Sequence, residues 1–141
     1  MSTSISIQKA NLADARETFE AALLSLFTGK VENTESDLEK IFHPDFTFRD
    51  SREDGLVKHK DYADWVKHVK FLRTADIGLV DFKIVQFLRD GSLLAERHIA
   101  QGKGPDGKVV QSETMIFAEI AEDGRVKSIV ENVNLNEPVK K

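Results

Sequence analysis

The stretch IGLVDFKIVQFLRDGSLLAERHIAQGKGPDGKVVQSETMIFAEIAEDGRVKSIVENVNLN, residues 77–136, decides the fold. Apolar residues recur at every second position along it, which is the period of a β-strand with one buried face. Turn residues interrupt the alternation at 90–91, 104–107 and 123–124, and Asp-Gly between alternating apolar runs is a strong hairpin signal. We therefore expect four long antiparallel strands, at about 77–89, 92–104, 108–122 and 125–136.

The residues before this stretch have a helical period instead, with apolar side chains three and four positions apart. They predict helices at about 12–28, 35–42 and 60–72, a short strand at 46–50 and a polar loop at 51–58. Helices followed by a run of strands favour an α+β architecture, in which a curved antiparallel sheet wraps round the N-terminal helices as a cone. We assign 10–136 to one domain, 1–9 to a loose N-terminus and 137–141 to a tail.

The composition narrows the classes of function. The chain has 141 residues, no cysteine and a net charge of −4, so disulfides and thiolate chemistry are excluded and a nucleic-acid partner is not expected. No apolar run approaches the roughly 20 residues of a membrane span, and residues 1–8 lack the order of a signal peptide. We expect a cytoplasmic protein that binds neither nucleic acid nor a membrane.

Two-residue turns at 90–91, 105–106 and 123–124 would fix which side chains share a face of the sheet. The face that the helices cover then carries Val80, Phe82, Ile84, Gln86 and Leu88 from the first long strand, Leu93, Ala95, Arg97, Ile99 and Gln101 from the second, Val110, Ser112, Thr114, Ile116, Ala118 and Ile120 from the third, and Ile129, Glu131, Val133 and Leu135 from the fourth. A slip of one residue would instead bring Glu96, His98 and Glu113 to that face.

Charged side chains on this face are the main functional signal. Arg97, Gln101 and Glu131 point inward in this register, and Asp50 shares a side with Phe46 and Phe48. Charged groups inside a small domain need partners, and a packed core would not select them. A ligand cavity would, because such sites are apolar with a few convergent polar groups. The alternative is a structural ion pair between Arg97 and Glu131.

At this point the chain resembles the nuclear transport factor 2 superfamily, a cone-shaped α+β fold. The resemblance rests on the long first helix, on FHPDFTFRDS at 42–51, on DYADW at 61–65 and on EIAEDGRVKSIVENV at 119–133. Branches of this superfamily include ketosteroid isomerases, SnoaL-type polyketide cyclases, scytalone dehydratases and limonene-epoxide hydrolases. The resemblance implies the fold, and it implies no single activity because this fold hosts many.

The resemblance also implies roles for particular residues. Asp50 falls where ketosteroid isomerases keep their catalytic base, and Glu131 falls at the acidic position of the terminal strand. The two oxyanion donors of those isomerases fall on Phe19 and Ile116, which cannot donate a hydrogen bond, so a true steroid isomerase is not expected. The cyclases use a pocket carboxylate to move a proton, and Asp50 or Glu131 could do so here.

We therefore expect a small-molecule protein that transfers protons without a cofactor, as a lyase or isomerase acting on a small apolar carbonyl compound. The candidate catalytic residues are Asp50 and Glu131, and the candidate substrate-binding residues are Arg97, Gln101, Tyr62, Trp65, Phe48 and Thr114. A non-catalytic ligand-binding or dimerisation module of the same fold is the alternative. The outer sheet face, with Met115, Phe117 and Val130, is expected to pair with a second copy of the chain.

Each candidate also has a purely structural interpretation. Asp50 could cap the loop that follows it or contact Arg52, and Trp65 could be an ordinary core residue. The four histidines have no zinc-type spacing, so no metal site is expected. The Gly-x-Gly-x-x-Gly pattern at 102–107 joins two strands, whereas a dinucleotide fingerprint must open a helix.

Overall fold

The computed structural model describes residues 12–50, 60–75, 79–104 and 106–136. The predicted loose N-terminus, the loop at 51–58 and the tail at 137–141 lie outside these residues. The helices and strands, in chain order, are α1 Leu12–Thr28, a 3-10 turn Val31–Asn33, α2 Thr34–Ile41, β1 Phe42–Asp50, α3 Tyr62–Thr74, β2 Leu79–Asp90, β3 Leu93–Lys103, β4 Val109–Ile120 and β5 Val126–Asn136. This order confirms the predicted α+β class.

The five strands form one open, curved sheet in the order β1-β5-β4-β3-β2. The four long strands pair antiparallel with their chain neighbours, as the hairpin signals predict. β1 lies parallel to β5 at the other edge, a pairing that no local sequence signal indicates. The parallel pair joins the first strand of the chain to the last, so residues far apart in sequence become neighbours in space.

The core lies between the helices and the inner face of the sheet. α1 contributes Phe19, Leu23 and Leu26, all at most 5% exposed, to this core. The indole of Trp65 on α3 is surrounded by aromatic rings of β1, with ring centroids 4.8–5.3 Å away. These three rings belong to Phe42, Phe46 and Phe48. Burial of such large aromatic side chains is a major stabilising contribution in a domain of this size.

The start of α3 is defined by a reciprocal cap. Asp61 accepts a hydrogen bond from the backbone N–H of Asp64, and the Asp64 carboxylate accepts one from the N–H of Asp61. This arrangement satisfies two backbone donors that a helix start otherwise leaves without partners. The cap fixes the rotation of α3, so that Trp65 and Val69 face the core.

The inward face of β3 is the main point where the structure corrects the sequence prediction. Asp90 pairs with Leu93, so the turn is Gly91 and Ser92, one residue later than expected. Lys103 pairs with Val109, which leaves a loop of five positions where two were expected. The longer β3–β4 loop shifts the pairing by one residue and turns every side chain of β3 over relative to β4. The β2–β3 turn shifts the pairing by two residues, which leaves the faces of these two strands matched next to the turn. The expectation that Leu93, Ala95, Arg97, Ile99 and Gln101 point inward is wrong.

The side chains of β3 that do face the helices are Leu94, Glu96, His98 and Ala100. This is the one-residue slip that the sequence left open, with one difference. Glu113 on β4 does not join them, because β4 keeps the expected face with Thr114 and Ile116 buried. β5 also keeps its expected face, since Ile116 pairs with Glu131. The expected pair of Glu122 with Arg125 is wrong, because the Ala121 N–H donates to the Arg125 carbonyl. An irregularity between Glu119 and Ile120 restores the expected register.

An irregularity at Val85 changes the face of β2 along its length. Ile84 pairs with His98 and Gln86 pairs with Arg97, so Val85 is an extra residue in this strand. Beyond it, Phe87 packs against the core and Leu88 is 71% exposed. The expectation that Gln86 and Leu88 face inward is therefore wrong. The side chains of Val80 and Leu135 lie outside the described residues.

The edge strand β2 is held at Ile84 by two side chains of α1. The Ile84 N–H donates to the Glu20 carboxylate at 2.7 Å, and its carbonyl accepts from the Arg16 guanidinium at 2.6 Å. Backbone groups at a sheet edge otherwise remain open to water or to another strand.

Among the helices of the described residues, none is long and apolar enough to cross a membrane.

Candidate functional site

A cavity of about 690 Å³ lies between the helices and the inner face of the sheet. This volume is within the range of small-molecule sites, roughly 300–1,000 Å³. Its apolar lining comes from α1, α3 and the sheet, and includes Leu23, Leu26, Phe27, Trp65, Phe71, Leu72, Ile116, Ile129 and Val133. The polar or charged side chains in its wall are Asp50, His68, His98, Lys103, Ser112, Thr114 and Glu131.

Two carboxyl groups stand side by side in one wall of this cavity. The parallel pairing of β1 with β5 puts Asp50 directly beside Glu131 in register. Neighbouring strands are about 4.8 Å apart, so side chains on the same face at paired positions are in reach of each other. Both residues line the cavity. The pair combines residues 81 positions apart in sequence, and it exists only because β1 closes onto β5.

A histidine and a buried glutamate occupy the neighbouring part of the wall. The His98 Nδ1 atom lies 2.7 Å from Glu96 Oε1 and 3.0 Å from Oε2, and the Glu96 side chain is fully buried. The His98 ring also packs against Phe82, with centroids 4.7 Å apart. Burial raises the pKa of Glu96, the hydrogen bond from His98 partly offsets this rise, and the nearby charge of Glu20 adds to it. The hydrogen bond to Glu96, two residues earlier on β3, therefore holds the His98 imidazole in one orientation.

Thr114 lies next to His98 across the β3–β4 pair. Paired residues on one face have Cβ atoms about 4.5–5.5 Å apart, which lets two polar side chains contact one ligand atom. Both residues are buried, at 5% and 6% exposed, and both line the cavity. Neither Thr114 Oγ1 nor His98 Nε2 forms a hydrogen bond with another residue of the described ranges.

His68 on α3 is the third ionisable group that the sequence analysis did not select. Its ring stacks on Trp65 with centroids 5.6 Å apart, and it lines the cavity. Burial lowers the pKa of His68, and the positive charge of Lys60 lowers it further. The neutral imidazole is therefore favoured at this wall.

Arg97 and Gln101 lie on the outer face, opposite the cavity. The Arg97 guanidinium binds Glu113 Oε2 at 2.7 Å and Gln86 Oε1 at 2.9 Å. Gln101 donates to the side chain of Gln111 at 3.1 Å. Their expected inward placement is wrong for the register reason given above. The possible structural pair between Arg97 and Glu131 does not form, since the two residues point to opposite faces.

Tyr62 and Phe48 also lie away from the cavity wall. The pKa of Tyr62 is raised by burial and by the charge of Glu39, and lowered by Arg125, which places the ring near the β4–β5 turn. Phe48 is 5% exposed and packs against Trp65 as a core residue. Of the residues expected to bind substrate, Trp65 and Thr114 line the cavity, together with the candidate catalytic residues Asp50 and Glu131.

The polar residues that the sequence analysis missed share one cause. The assumed two-residue turn at 105–106 placed His98 and Glu96 on the outer face. A loop of five positions at 104–108 would have placed them on the inner face.

Among the described residues, no group of three or more His, Asp or Glu side chains is arranged to hold a metal ion.

Comparison with known proteins identifies the fold. No family model matches the chain, and no curated protein sequence matches it. Among solved structures, the designed protein NT-9 with the NTF2 fold superposes with a TM-score of 0.64 at 16% identity, over 89% of this chain and 88% of its own.

Two natural proteins are similar to the same degree. A protein provisionally named as a polyketide cyclase from Acidithiobacillus ferrooxidans has a TM-score of 0.62 at 17% identity, covering 89% of this chain and 90% of that one. A protein from Agrobacterium tumefaciens, provisionally named as an isomerase of the SnoaL-like family, has a TM-score of 0.60 at 12% identity, covering 84% and 97%. At these identities the likeness establishes the fold, which is NTF2-like.

Proposed function

We propose that this protein, whose fold is NTF2-like, is a cofactor-independent proton-transfer enzyme of the lyase or isomerase type, acting on a small apolar carbonyl compound. The observation that carries the proposal is the pair Asp50 and Glu131 in the wall of an otherwise largely apolar cavity of about 690 Å³. A carboxylate in such surroundings suits the removal of a proton from carbon, since general bases work best where water is scarce.

The chemistry assigned to Asp50 is enolisation. Its carboxylate takes a proton from the carbon next to the carbonyl, the C–H electron pair forms the new C=C bond, and the carbonyl π electrons move to oxygen. Returning the proton to another carbon completes an isomerisation, whereas loss of a leaving group completes a lyase reaction. Glu131 is the neighbouring carboxyl group that shares or replaces this role, while Trp65 and Thr114 hold the substrate.

The direct test follows exchange of α-protons of β-tetralone, an apolar ketone, for deuterium in D₂O by NMR. Wild-type protein is expected to accelerate the exchange, and Asp50→Asn to lower the rate by about 100-fold or more, because a positioned base contributes roughly 10²–10⁴. Asp45→Asn is the matched control, since Asp45 is an exposed carboxylate on the same strand. Exchange by Asp50→Asn at the wild-type rate would overturn the assignment of the base.

The class of ligand is tested separately by thermal stabilisation with a panel of small apolar ketones, enones, epoxides and carboxylic acids. A ligand at 100 times its dissociation constant should add about 2.7 kcal/mol to the free energy of unfolding. A ligand that stabilises both wild type and Asp50→Asn, with no turnover in either, would favour the alternative of a non-catalytic binding module. If no compound of the panel stabilises the wild type, the ligand is not a small apolar molecule.

We also propose that two copies of the chain pair through the outer sheet face. Phe117 is 70% exposed and Met115 45% exposed on this face, with Val130 beside Phe117 on β5. Exposed apolar side chains that cluster on a sheet face are typical of contacts between subunits. The same face could serve a pure dimerisation module, which would have no need of the inner carboxylates.

We propose that the protein is located in the cytoplasm and that it binds neither nucleic acid nor a membrane. The net charge of −4 supports the lack of a nucleic-acid partner, and the lack of an apolar run of roughly 20 residues supports the lack of a membrane partner. Fractionation of cells that express the tagged chain would test the location.

A further inference from the structure

An enolate that forms in the cavity needs a hydrogen-bond donor for its oxygen, and the donors of ketosteroid isomerases do not exist here. The positions that would carry them are Phe19 and Ile116, whose side chains are apolar and at most 3% exposed. Donors aimed at a developing oxyanion are commonly the largest electrostatic contribution to such reactions. Another part of the cavity wall must supply them if the proposed function holds.

We propose that His98 Nε2 and Thr114 Oγ1 form the oxygen-binding site of this cavity, with Glu96 as the residue that positions His98. The ligand class is a neutral ketone, bound so that its carbonyl oxygen meets these two atoms while its α-carbon faces Asp50. This inference rests on the proposed function and adds to it the group that stabilises the oxygen.

The Glu96–His98 hydrogen bond determines which ring nitrogen is available. Nδ1 is bound to the Glu96 carboxyl group at 2.7 Å, so Nε2 is the only ring nitrogen left for a ligand. When the pair carries two protons, these can lie on both ring nitrogens beside a charged Glu96, or on Nε2 and a neutral Glu96 whose O–H donates to Nδ1. Nε2 carries a proton in both arrangements, so it is a donor to the cavity in either case.

Burial favours the state in which the Glu96–His98 pair carries two protons, because the pair then has no net charge. The Glu96 side chain is fully buried, and burial raises its pKa, so the carboxyl group retains a proton more readily than in water. The Phe82 ring holds the imidazole from one side at 4.7 Å, so the ring cannot turn freely. A rigidly held donor needs no reorganisation as charge develops on the substrate.

The distance across the sheet fits a substrate between the two groups. His98 lies on β3 and Glu131 on β5, with β4 between them, and the register places His98 one cross-strand row beyond Glu131. Two strand spacings and two residues along a strand separate their Cα atoms by about 11–12 Å. Asp50 lies one strand further than Glu131, on β1, so the inward curve of the sheet must bring its side chain toward His98. A small ketone would then have its α-carbon at Asp50 and its oxygen at His98.

The step balances without any added reagent. Asp50 gains the proton of the α-carbon, the C–H electron pair becomes the C=C bond, and the carbonyl oxygen gains the proton of His98 Nε2. The neutral enol is formed, and Asp50 is left protonated while the Glu96–His98 pair has lost one proton. Ketonisation by the reverse proton movements restores both groups, with the proton delivered to the same or to another carbon.

The first experiment uses the β-tetralone exchange assay on purified full-length protein. His98→Leu, which removes the donor, is expected to lower the exchange rate by about 100-fold, and Thr114→Val to lower it less. Glu96→Leu should lower the rate while the protein remains folded, because no side chain then fixes Nδ1. Glu96→Gln should lower it less, because its amide N–H can donate to Nδ1 as a neutral carboxyl group does. Glu113→Gln and His43→Gln are matched controls outside the cavity and should leave the rate unchanged. Loss of exchange in Asp50→Asn with a wild-type rate in His98→Leu would overturn the proposal.

The second experiment needs no turnover, and so separates this inference from the proposed function. The ¹⁵N resonances of the histidine rings are recorded with β-naphthol, a planar analogue of the β-tetralone enol. Binding should shift His98 Nε2 in the wild type, and Glu96→Leu, which leaves Nδ1 without its partner, should change both the resting Nε2 resonance and its response. An unchanged Nε2 resonance at saturating β-naphthol would overturn the proposal even if β-tetralone exchanges. A shifted resonance without exchange would support the oxygen site and contradict the proposed catalysis.

Discussion

At the scale of single residues, His68 shows how burial changes the behaviour of a group without any charged partner. Its ring packs against Trp65 and Phe48, where the charged imidazolium loses hydration that the aromatic rings do not replace. The lower pKa of His68 follows mainly from this burial and secondarily from Lys60. The free energy of unfolding must then depend on pH through this residue.

We predict that His68→Gln reduces the acid sensitivity of the folded state. The pKa of His68 is lower in the folded chain than its ordinary value of 6.5, so the unfolded chain binds a proton first as the pH falls. The stability contributed by neutral His68 is therefore present above pH 6.5 and is lost as the pH falls through the lower, folded-state pKa. Urea unfolding between pH 7.5 and about 5 should show a smaller loss for His68→Gln than for wild type.

His43→Gln is the control for this measurement, because His43 lies outside the cavity at the start of β1. Equal pH dependence in wild type and His68→Gln would show that the proton uptake on unfolding comes from other groups.

At the scale of elements, Arg73 joins the helices to each other. The Arg73 side chain is fully buried, although Arg73 lies in the last turn of α3. The guanidinium binds Asp37 of α2 at 3.0 Å, the Ser25 carbonyl of α1 at 2.7 Å and the Lys30 carbonyl at 3.0 Å. It thus satisfies carbonyl groups at the end of one helix and just after it. Gly29 allows this approach, because a Cβ there would collide with the guanidinium.

We predict that Arg73→Met lowers the free energy of unfolding by about 2 kcal/mol, since the Asp37 carboxylate loses its ion pair. The Ser25 and Lys30 carbonyl groups keep only their backbone donors. Lys70→Met on the same helix removes the exposed pair of Lys70 with Glu35, and should cost at most about 0.5 kcal/mol. Chemical denaturation followed by circular dichroism measures both. Equal costs for the two variants would mean that the buried guanidinium is no more important than a surface ion pair.

At the scale of the whole molecule, the sheet has two faces with different surroundings. The inner face carries the cavity, and the outer face carries the Arg97–Glu113 pair together with exposed apolar side chains such as Phe117 and Met115. The side chains of Arg97 and Glu113 are at most about one-third exposed. They lie in the same cross-strand rows of the sheet as the apolar residues and border them. An apolar patch bordered by ion pairs is suited to a subunit contact.

We predict that the wild-type chain is a dimer in light scattering and that Phe117→Glu is a folded monomer. A carboxylate at the centre of the patch would be buried beside its symmetry copy, which costs desolvation and adds like-charge repulsion. Val31→Glu, a change at an exposed apolar residue far from the sheet face, should remain dimeric. A wild-type chain that is monomeric at all accessible concentrations would contradict the proposed pairing.

The element order and most of the sheet could be predicted because each depends on local pattern. Alternation from residue 77 onward predicted four antiparallel strands. Ile116 pairs with Glu131 as expected, although the turn is longer than predicted, because an irregularity between Glu119 and Ile120 compensates for it. The positions of Asp50 and Glu131 on inward faces follow from the same alternation. A period of two determines which residues share a face whenever the adjoining turn has the expected length.

The face of β3 could not be predicted, because its sequence is nearly balanced between two choices. One set of alternate residues contains Leu94, Glu96, His98 and Ala100, and the other contains Leu93, Ala95, Arg97 and Ile99, so apolar content does not separate them. The structure chooses the first set, because the Glu96 carboxyl group and the His98 ring satisfy each other when buried. On the outer face Arg97 finds a partner in Glu113 and remains partly exposed to water.

The sequence by itself determined the α+β class, the strands and the inward position of the two carboxylates, because these depend on periodicity along short segments. Only the tertiary structure decided that Asp50 stands beside Glu131 and that His98 and Thr114 share the cavity wall. The first depends on a parallel pairing between strands at opposite ends of the chain. The second depends on the length of the loop between β3 and β4, to which an extra residue at Val85 adjusts β2. Such features are selected by the packing of the whole sheet against its helices, and no local pattern encodes them.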